Sequence, residues 1–233
     1  MGSCMPAVRT IHSPQRAKPT ATVLLFTIVV TLAACTSNVK RSETTAQIHV
    51  SGPEEVKQFI FYRALSREDF RAMTPPPESA HHTEHLGALL CAAIIPSTDL
   101  LIEFDSTNDG DAHWFRVHGP NYRAAMDPEC SWWNDEQTGF PPEYVLEHEQ
   151  IHFALSEIYA MRINREIADL HLRVAWWNDA PEAAEARANQ LLMRATDDLL
   201  EESRLFDKET SHKTRPETQS RWMQQVDARL NAR

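Results

Sequence analysis

Apolar and polar positions along this chain follow two rhythms, and the change falls near residue 140. From about Val56 to Trp133 the apolar runs are short: "QFIFYR" at 58–63, "LGALLCAAII" at 86–95 and "LLIEF" at 100–104, with "HWFRVHG" at 113–119 partly alternating. Such runs between Pro, Gly, Asn and Asp signals read as strands. Pro75-Pro76-Pro77 and Asn108-Asp109-Gly110 punctuate them as loop and turn. "WWNDEQTGFPPE", 132–143, closes this half as a loop.

The second half has a helical period. Pro141 and Pro142 suit a first turn, and no Pro or Gly occurs from Tyr144 to Leu172. Val145, Ile151, Leu155, Ile158 and Met161 recur at helical spacing within that stretch. A second helix is expected from near Pro181 to about Phe206, and a third over "PETQSRWMQQVDARL", 216–230. A strand-rich half followed by a helical half predicts an α+β fold.

The N-terminus sets the compartment. Arg16 and Lys18 precede "ATVLLFTIVVTLAAC", uncharged from Ala21 to Cys35. That is the length of a signal-peptide core, short of the roughly 20 residues of a spanning helix. Leu32-Ala33-Ala34-Cys35 resembles the lipobox of bacterial lipoproteins, which implies cleavage before Cys35 and a diacylglycerol on its thiol. Thr36, rather than Asp, follows, so the expected location is the periplasmic face of the outer membrane. The organisation expected is a signal peptide over 1–34, a polar tether over 35–52 and one domain over 53–233.

Removing residues 1–34 discards Arg9, Arg16 and Lys18 and no acid, leaving 20 basic against 33 acidic side chains, a net charge near −13. Nucleic acid and an anionic lipid surface are therefore both disfavoured as partners, since each requires a basic footprint. Cys91 and Cys130 remain in an oxidising compartment and are a candidate disulfide pair.

One stretch carries chemistry. In "YVLEHEQIHFALSEIY", 144–159, His148 and His152 stand four apart with Glu149 between them. On a helix, i and i+4 lie about 40° apart, so both imidazoles can reach one tetrahedral zinc ion at roughly 2 Å. Glu149 can then act as general base toward water that the metal acidifies. Given 11 His in 233 residues, only about 0.04 accidental matches to His-Glu-x-x-His are expected. A second cluster, His81-x-x-Glu84-His85, has the inverted pattern. It follows three prolines and precedes Gly87, so a surface cluster is the better reading.

The stretch "SWWNDEQTGFPPEYVLEHEQIHFALSEIYAMRI" resembles a bacterial family of secreted zinc-dependent proteases, in which a Ser-Trp pair precedes a helix bearing His-Glu-Gln-x-His-Phe. Ser131-Trp132 and His148 to Phe153 match it, as do an upstream Asp69-Phe70 and a later Asp207, Thr210 and His212, then Gln219 and Trp222. The resemblance implies a zincin-like helical half and peptide-bond hydrolysis. Phe206 and Lys213 stand where that family favours Tyr and Gly, and Ala154 where an acid is common.

A catalytic zinc needs a third protein ligand. Glu157 falls on the opposite face of the helix from His148, and His171 would lie about 28 Å along an unbroken helix from His152. Leu155 and Ile158 occupy the positions where a metzincin has Gly and His. The ligand must come from later in the chain. His212 in the segment resembling the family is favoured. Glu182 or Glu185 on the second helix, or Asp207, are the alternatives, with Asp207 better read as a partner fixing an imidazole or as a loop acid. The function expected is a lipid-anchored zinc peptidase acting on peptide or protein substrate. The alternative is a catalytically idle metal-binding or structural envelope lipoprotein.

Overall fold

The computed structural model describes residues 47–50, 58–76, 86–104, 112–136, 139–210 and 214–232. The signal segment, Cys35, the His81/Glu84/His85 cluster, Asn108-Asp109-Gly110 and His212 lie outside these residues. Strands occupy the N-terminal part and helices the C-terminal part, as the two rhythms require.

The strands are β1 (Gln47–Val50), β2 (Ile60–Phe61), β3 (Ala88–Leu89), β4 (Ala92–Pro96), β5 (Leu100–Phe104), β6 (His113–His118), β7 (Tyr122–Met126), β8 (Trp132–Trp133) and β9 (His171–Val174). They build a four-stranded sheet in the order β1-β5-β6-β9, a three-stranded sheet β2-β7-β4, and the pair β3-β8. All pairings between them are antiparallel. Three helices follow: α1 (Pro142–Ala168), α2 (Ala180–Thr210) and α3 (Pro216–Asn231).

Three expectations are corrected. Residues 47–50, placed in the tether, form an edge strand, because Ile48 and Val50 can pair in register with Ile102 and Leu100. Trp132 and Trp133, read as loop, pair with Leu89 and Ala88. The first helix stops at Ala168 rather than Leu172, and His171–Val174 becomes β9, whose alternating exposed and half-buried residues complete the sheet beside β6.

α1 is the centre of the molecule. Ile151, Leu155, Ile158 and Ile163 join one core cluster with Ile102, Phe115 and Val117 of the sheet and Leu191, Leu199 and Phe206 of α2. Val145 and Phe153 join a second cluster with Leu65, Phe70, Leu90 and Met126. A helix buried on both flanks cannot show a single apolar stripe, which is why its residues are apolar over much of the surface. Two polar side chains fasten it to β7. Glu157 accepts from the Ala124 N–H at 2.8 Å, as its position away from His148 suggested, and Asn164 bonds both backbone groups of Tyr122.

Gly87 shows how tightly the β3 end sits on α1. A Cβ there would lie 2.5 Å from Val145 Cγ2. Gly87→Ala is therefore expected to cost about 1–3 kcal/mol through overpacking. Val145→Ala should recover part of that loss in the double variant, read from denaturant midpoints in a double-mutant cycle.

Candidate metal centre

The His-Glu-x-x-His residues lie in the second turn of α1 and the turn after it, where the helix is enclosed. Glu149 and His152 are buried and His148 nearly so. The third group comes from the C-terminal end of α2. Asp207 Oδ1 lies 3.2 Å from His148 Nε2 and 2.9 Å from His152 Nε2. The two Nε2 atoms are themselves 3.2 Å apart. Three ligands about 2 Å from one ion in tetrahedral arrangement stand roughly 3.3 Å from one another, so the observed triangle has the edges that such a set requires. His148, His152 and Asp207 can hold a metal ion.

This geometry revises the reading of Asp207. It belongs to α2, which runs four residues beyond the expected end, and it is not a loop acid. Its oxygen meets the same imidazole nitrogens that would face a metal, which places it among the groups that could hold one. Glu182 and Glu185 sit near the other end of α2, and Glu185 is about 33 Å along the helix from Asp207. They cannot share the ion.

The sequence holds a sign of Asp207 that periodicity alone passes over. The buried face of α2 reads Ala180, Ala184, Ala188, Leu191, Ala195 and Leu199, then Ser203, Phe206 and Thr210. Polar residues interrupt the apolar stripe only in its last turns, and Asp207 falls four after Ser203, on the same side. A cluster of polar groups on the core face of an amphipathic helix asks for a partner. The partner is the histidine pair of α1.

Neighbouring residues orient the imidazoles. The Phe206 ring stacks on His148 at 4.4 Å and meets His152 edge-on at 5.0 Å, while Trp222 of α3 backs Phe206 at 5.3 Å. Thr210 donates its hydroxyl hydrogen to Phe206 O at 2.7 Å. Its oxygen is then an acceptor for His148 Nδ1, 3.4 Å away. With a metal bound, that contact would keep the ring hydrogen on Nδ1 and leave the Nε2 lone pair for the ion.

Charges in the site are set by burial and proximity. Burial pushes the Glu149 carboxyl up to about 7, opposed by His148 and by a hydrogen bond from the Leu90 backbone, while the charge of Asp207 pushes it further up. Burial also acts to raise Asp207, but the charges and hydrogen bonds of His152 and His148 outweigh it and hold that carboxyl well below the usual range. One carboxylate stays ionised beside the imidazoles, and the other is poised to take or give a proton near neutrality.

The wall opposite α1 is built from the strand half. A cleft lined by Gly87, Ala88, Phe140, Tyr144 and Val145 opens onto His148 and Glu149. Gln150 accepts from the Leu65 N–H at 2.7 Å and donates to Arg63 O at 3.3 Å, fixing the 63–70 loop on α1. Within that loop Asp69 is buried and accepts two bonds from Arg63, at 2.9 and 2.6 Å. From the other side, Gln219 donates to Tyr144 O and Glu147 Oε2, both at 2.9 Å.

Cys91 and Cys130 are bonded, with Cα atoms 5.7 Å apart. Ser131 Oγ accepts from the Cys91 N–H at 2.9 Å and donates to Asp127 O at 2.8 Å, so the bridge and the serine together pin the β3–β4 junction to β8. The disulfide closes a loop across a separation of 39 residues, for which chain entropy gives about 4 kcal/mol. Cys91→Ser with Cys130→Ser should lower stability by roughly 2–4 kcal/mol in chemical denaturation. Because Leu90 bonds Glu149, the same change should loosen the cleft wall.

No family model, curated protein or solved structure matches the chain.

Proposed function

We propose that the protein is a zinc-dependent peptidase of the bacterial cell envelope, with a zincin-like helical half and a lipid anchor at Cys35. The observation that carries this reading is the convergence of Asp207 Oδ1 on the Nε2 atoms of His148 and His152, with the buried Glu149 carboxyl next along the helix. Asp207 is held ionised against His148 and His152, and Glu149 beside them is buried and raised to about 7. A purely structural metal site has no use for the second of these. Two imidazoles and one carboxylate form a borderline donor set that zinc accepts readily.

Zinc held by His148, His152 and Asp207 would supply a Lewis acid that polarises a carbonyl and acidifies water. Glu149 would take a proton from water as its oxygen adds to the peptide carbonyl carbon, and return it to the amine as the C–N bond breaks, a role suited to a group titrating near the working pH. The cleft beside Gly87 and Ala88 opens onto His148 and Glu149 and gives a substrate access to them, and Phe206 covers the imidazoles from behind. His212, the ligand implied by the resemblance, follows α2 immediately and remains the candidate for a further contact with the metal.

The test is hydrolysis of a peptide library by the purified mature protein, with chelator and with zinc restored. Cleavage that chelation stops and zinc recovers supports the peptidase. Stoichiometric zinc without cleavage of any peptide would leave the idle metal-binding lipoprotein.

A further inference from the structure

The four-stranded sheet has a second face, turned away from α1 and α2. Leu100, Ile102, Phe115 and Val117 point inward, so the alternate positions point outward: Glu103 on β5, Trp114, Arg116 and His118 on β6, His171 and Arg173 on β9. Arg116, His118, His171 and Arg173 are exposed. In a chain with 33 acids against 23 bases, this face carries two arginines and two histidines against the acid Glu103, which bonds His118 at 2.9 Å. Trp114 lies 4.8 Å from the His171 ring. Directly after β9 come Trp176 and Trp177, 70% and 52% exposed, two of the few large apolar side chains the described residues leave to solvent.

The strand register fixes where these residues stand relative to the N-terminal segment. Gln47 pairs with Glu103, Glu103 with Arg116, and Arg116 with His171, forming one row across the sheet. β1 is antiparallel to β5, so the chain upstream of Gln47 departs toward the end of the sheet at which Trp114 pairs with Arg173. β9 leads from His171 through Arg173 toward Trp176 in that same direction. Eleven residues, 36–46, separate Cys35 from β1, and a fully extended chain of that length reaches at most about 40 Å. An anchor at Cys35 would thus tether the domain from this end of the sheet.

We propose that this end of the sheet, with Trp176 and Trp177 just beyond β9, docks on the lipid bilayer that holds the Cys35 anchor. The inference rests on the anchoring reading above. Indole rings settle at the level of the headgroups, with an apolar body and a polar N–H. Arg116 and Arg173 behind them suit lipid phosphates. The whole-chain charge disfavours a general anionic footprint, so the two exposed indoles, with the exposed Arg173 beside them in sequence, carry the contact.

The experiment uses the full chain matured in cells and reconstituted into vesicles of phosphatidylethanolamine and phosphatidylglycerol, part of the acyl chains brominated to quench nearby indoles. The N-terminal mass is measured on the same sample. Support is a lipid-modified Cys35 with tryptophan quenching that falls by more than about half in Trp176→Ser/Trp177→Ser, while Met193→Ser on α2, also exposed, leaves it unchanged. A lipid-modified Cys35 with no quenching, or with equal quenching in the double variant, overturns the docking and leaves the anchor standing. An unmodified Cys35 overturns both.

Discussion

Asp207→Ala should strip metal from the protein as thoroughly as His148→Ala or His152→Ala, while Glu182→Ala and Glu185→Ala leave the metal in place. The expectation follows from the triangle of ligand atoms: Asp207 Oδ1 is as close to each imidazole nitrogen as the two nitrogens are to each other. Removing a group that merely supports a ligand typically costs 10- to 100-fold in affinity, so loss of a true ligand should exceed about 100-fold. Metal content after dialysis against a graded chelator reads the difference. Asp207→Ala falling within tenfold of the parent, with His212→Ala losing the metal, would return Asp207 to a supporting part. The loss should also reach stability, since an ion held by these three residues would join α1 to the end of α2 in the folded chain alone.

The pairing of α1 with α2 shows where sequence reading stops. His148, Glu149 and His152 are legible because their relation is local: four residues of helix fix it, whatever the rest of the chain does. The third group is a long-range contact, 55 residues from His152. It depends on how far α2 continues and on the phase in which its last turn meets α1. Ending that helix at Phe206 turns Asp207 into a loop acid. Four more residues of helix put it beside the histidines. The resemblance at Asp207, Thr210 and His212 falls in the same segment and favours His212, which lies outside the described residues.

Short strands escape a sequence reading for a related reason. β8 is two residues long and its tryptophans lie in a run of polar and turn-forming residues, so only pairing with β3 makes it a strand. β9 reads "HLRV", acceptable in a helix by propensity, and the open edge of β6 decides it. β1 sits in a polar segment with no local claim to structure. By contrast, the residues that carry the resemblance outside the metal helix acquire plain physical tasks. Asp69 knots the 63–70 loop, Ser131 links Cys91 to Asp127, Gln219 holds the first turns of α1, and Trp222 backs Phe206. Of these, Trp222 comes nearest the candidate site, through the Phe206 ring that stacks on His148.

Glu149→Gln should keep the metal and lose hydrolysis. The amide has nearly the shape of the carboxyl and can still accept the Leu90 N–H, and Glu149 is not among the three converging ligands. What disappears is a group able to accept a proton, worth about 10² to 10⁴ in rate. Activity equal to the parent would remove Glu149 from the chemistry. The same substitution has a second, independent readout in metal-free protein. An acid whose pKa rises from 4.5 to about 7 on folding holds its proton in the native state after the unfolded chain has released its own. Stability therefore falls as pH rises from 4.5, and the loss is complete above 7. At about 1.4 kcal/mol per tenfold, burying this ionised carboxyl costs up to about 3 kcal/mol at pH 8. The amide that replaces it does not titrate, so the variant should gain on the parent across that interval, by up to about 3 kcal/mol at pH 8, with no pH-dependent difference below 4. Denaturant midpoints of both proteins across pH give the curve. Parallel curves would mean that Glu149 is solvated, and a solvated carboxyl would already be ionised well below neutrality, without the raised basicity that suits it to take a proton from water.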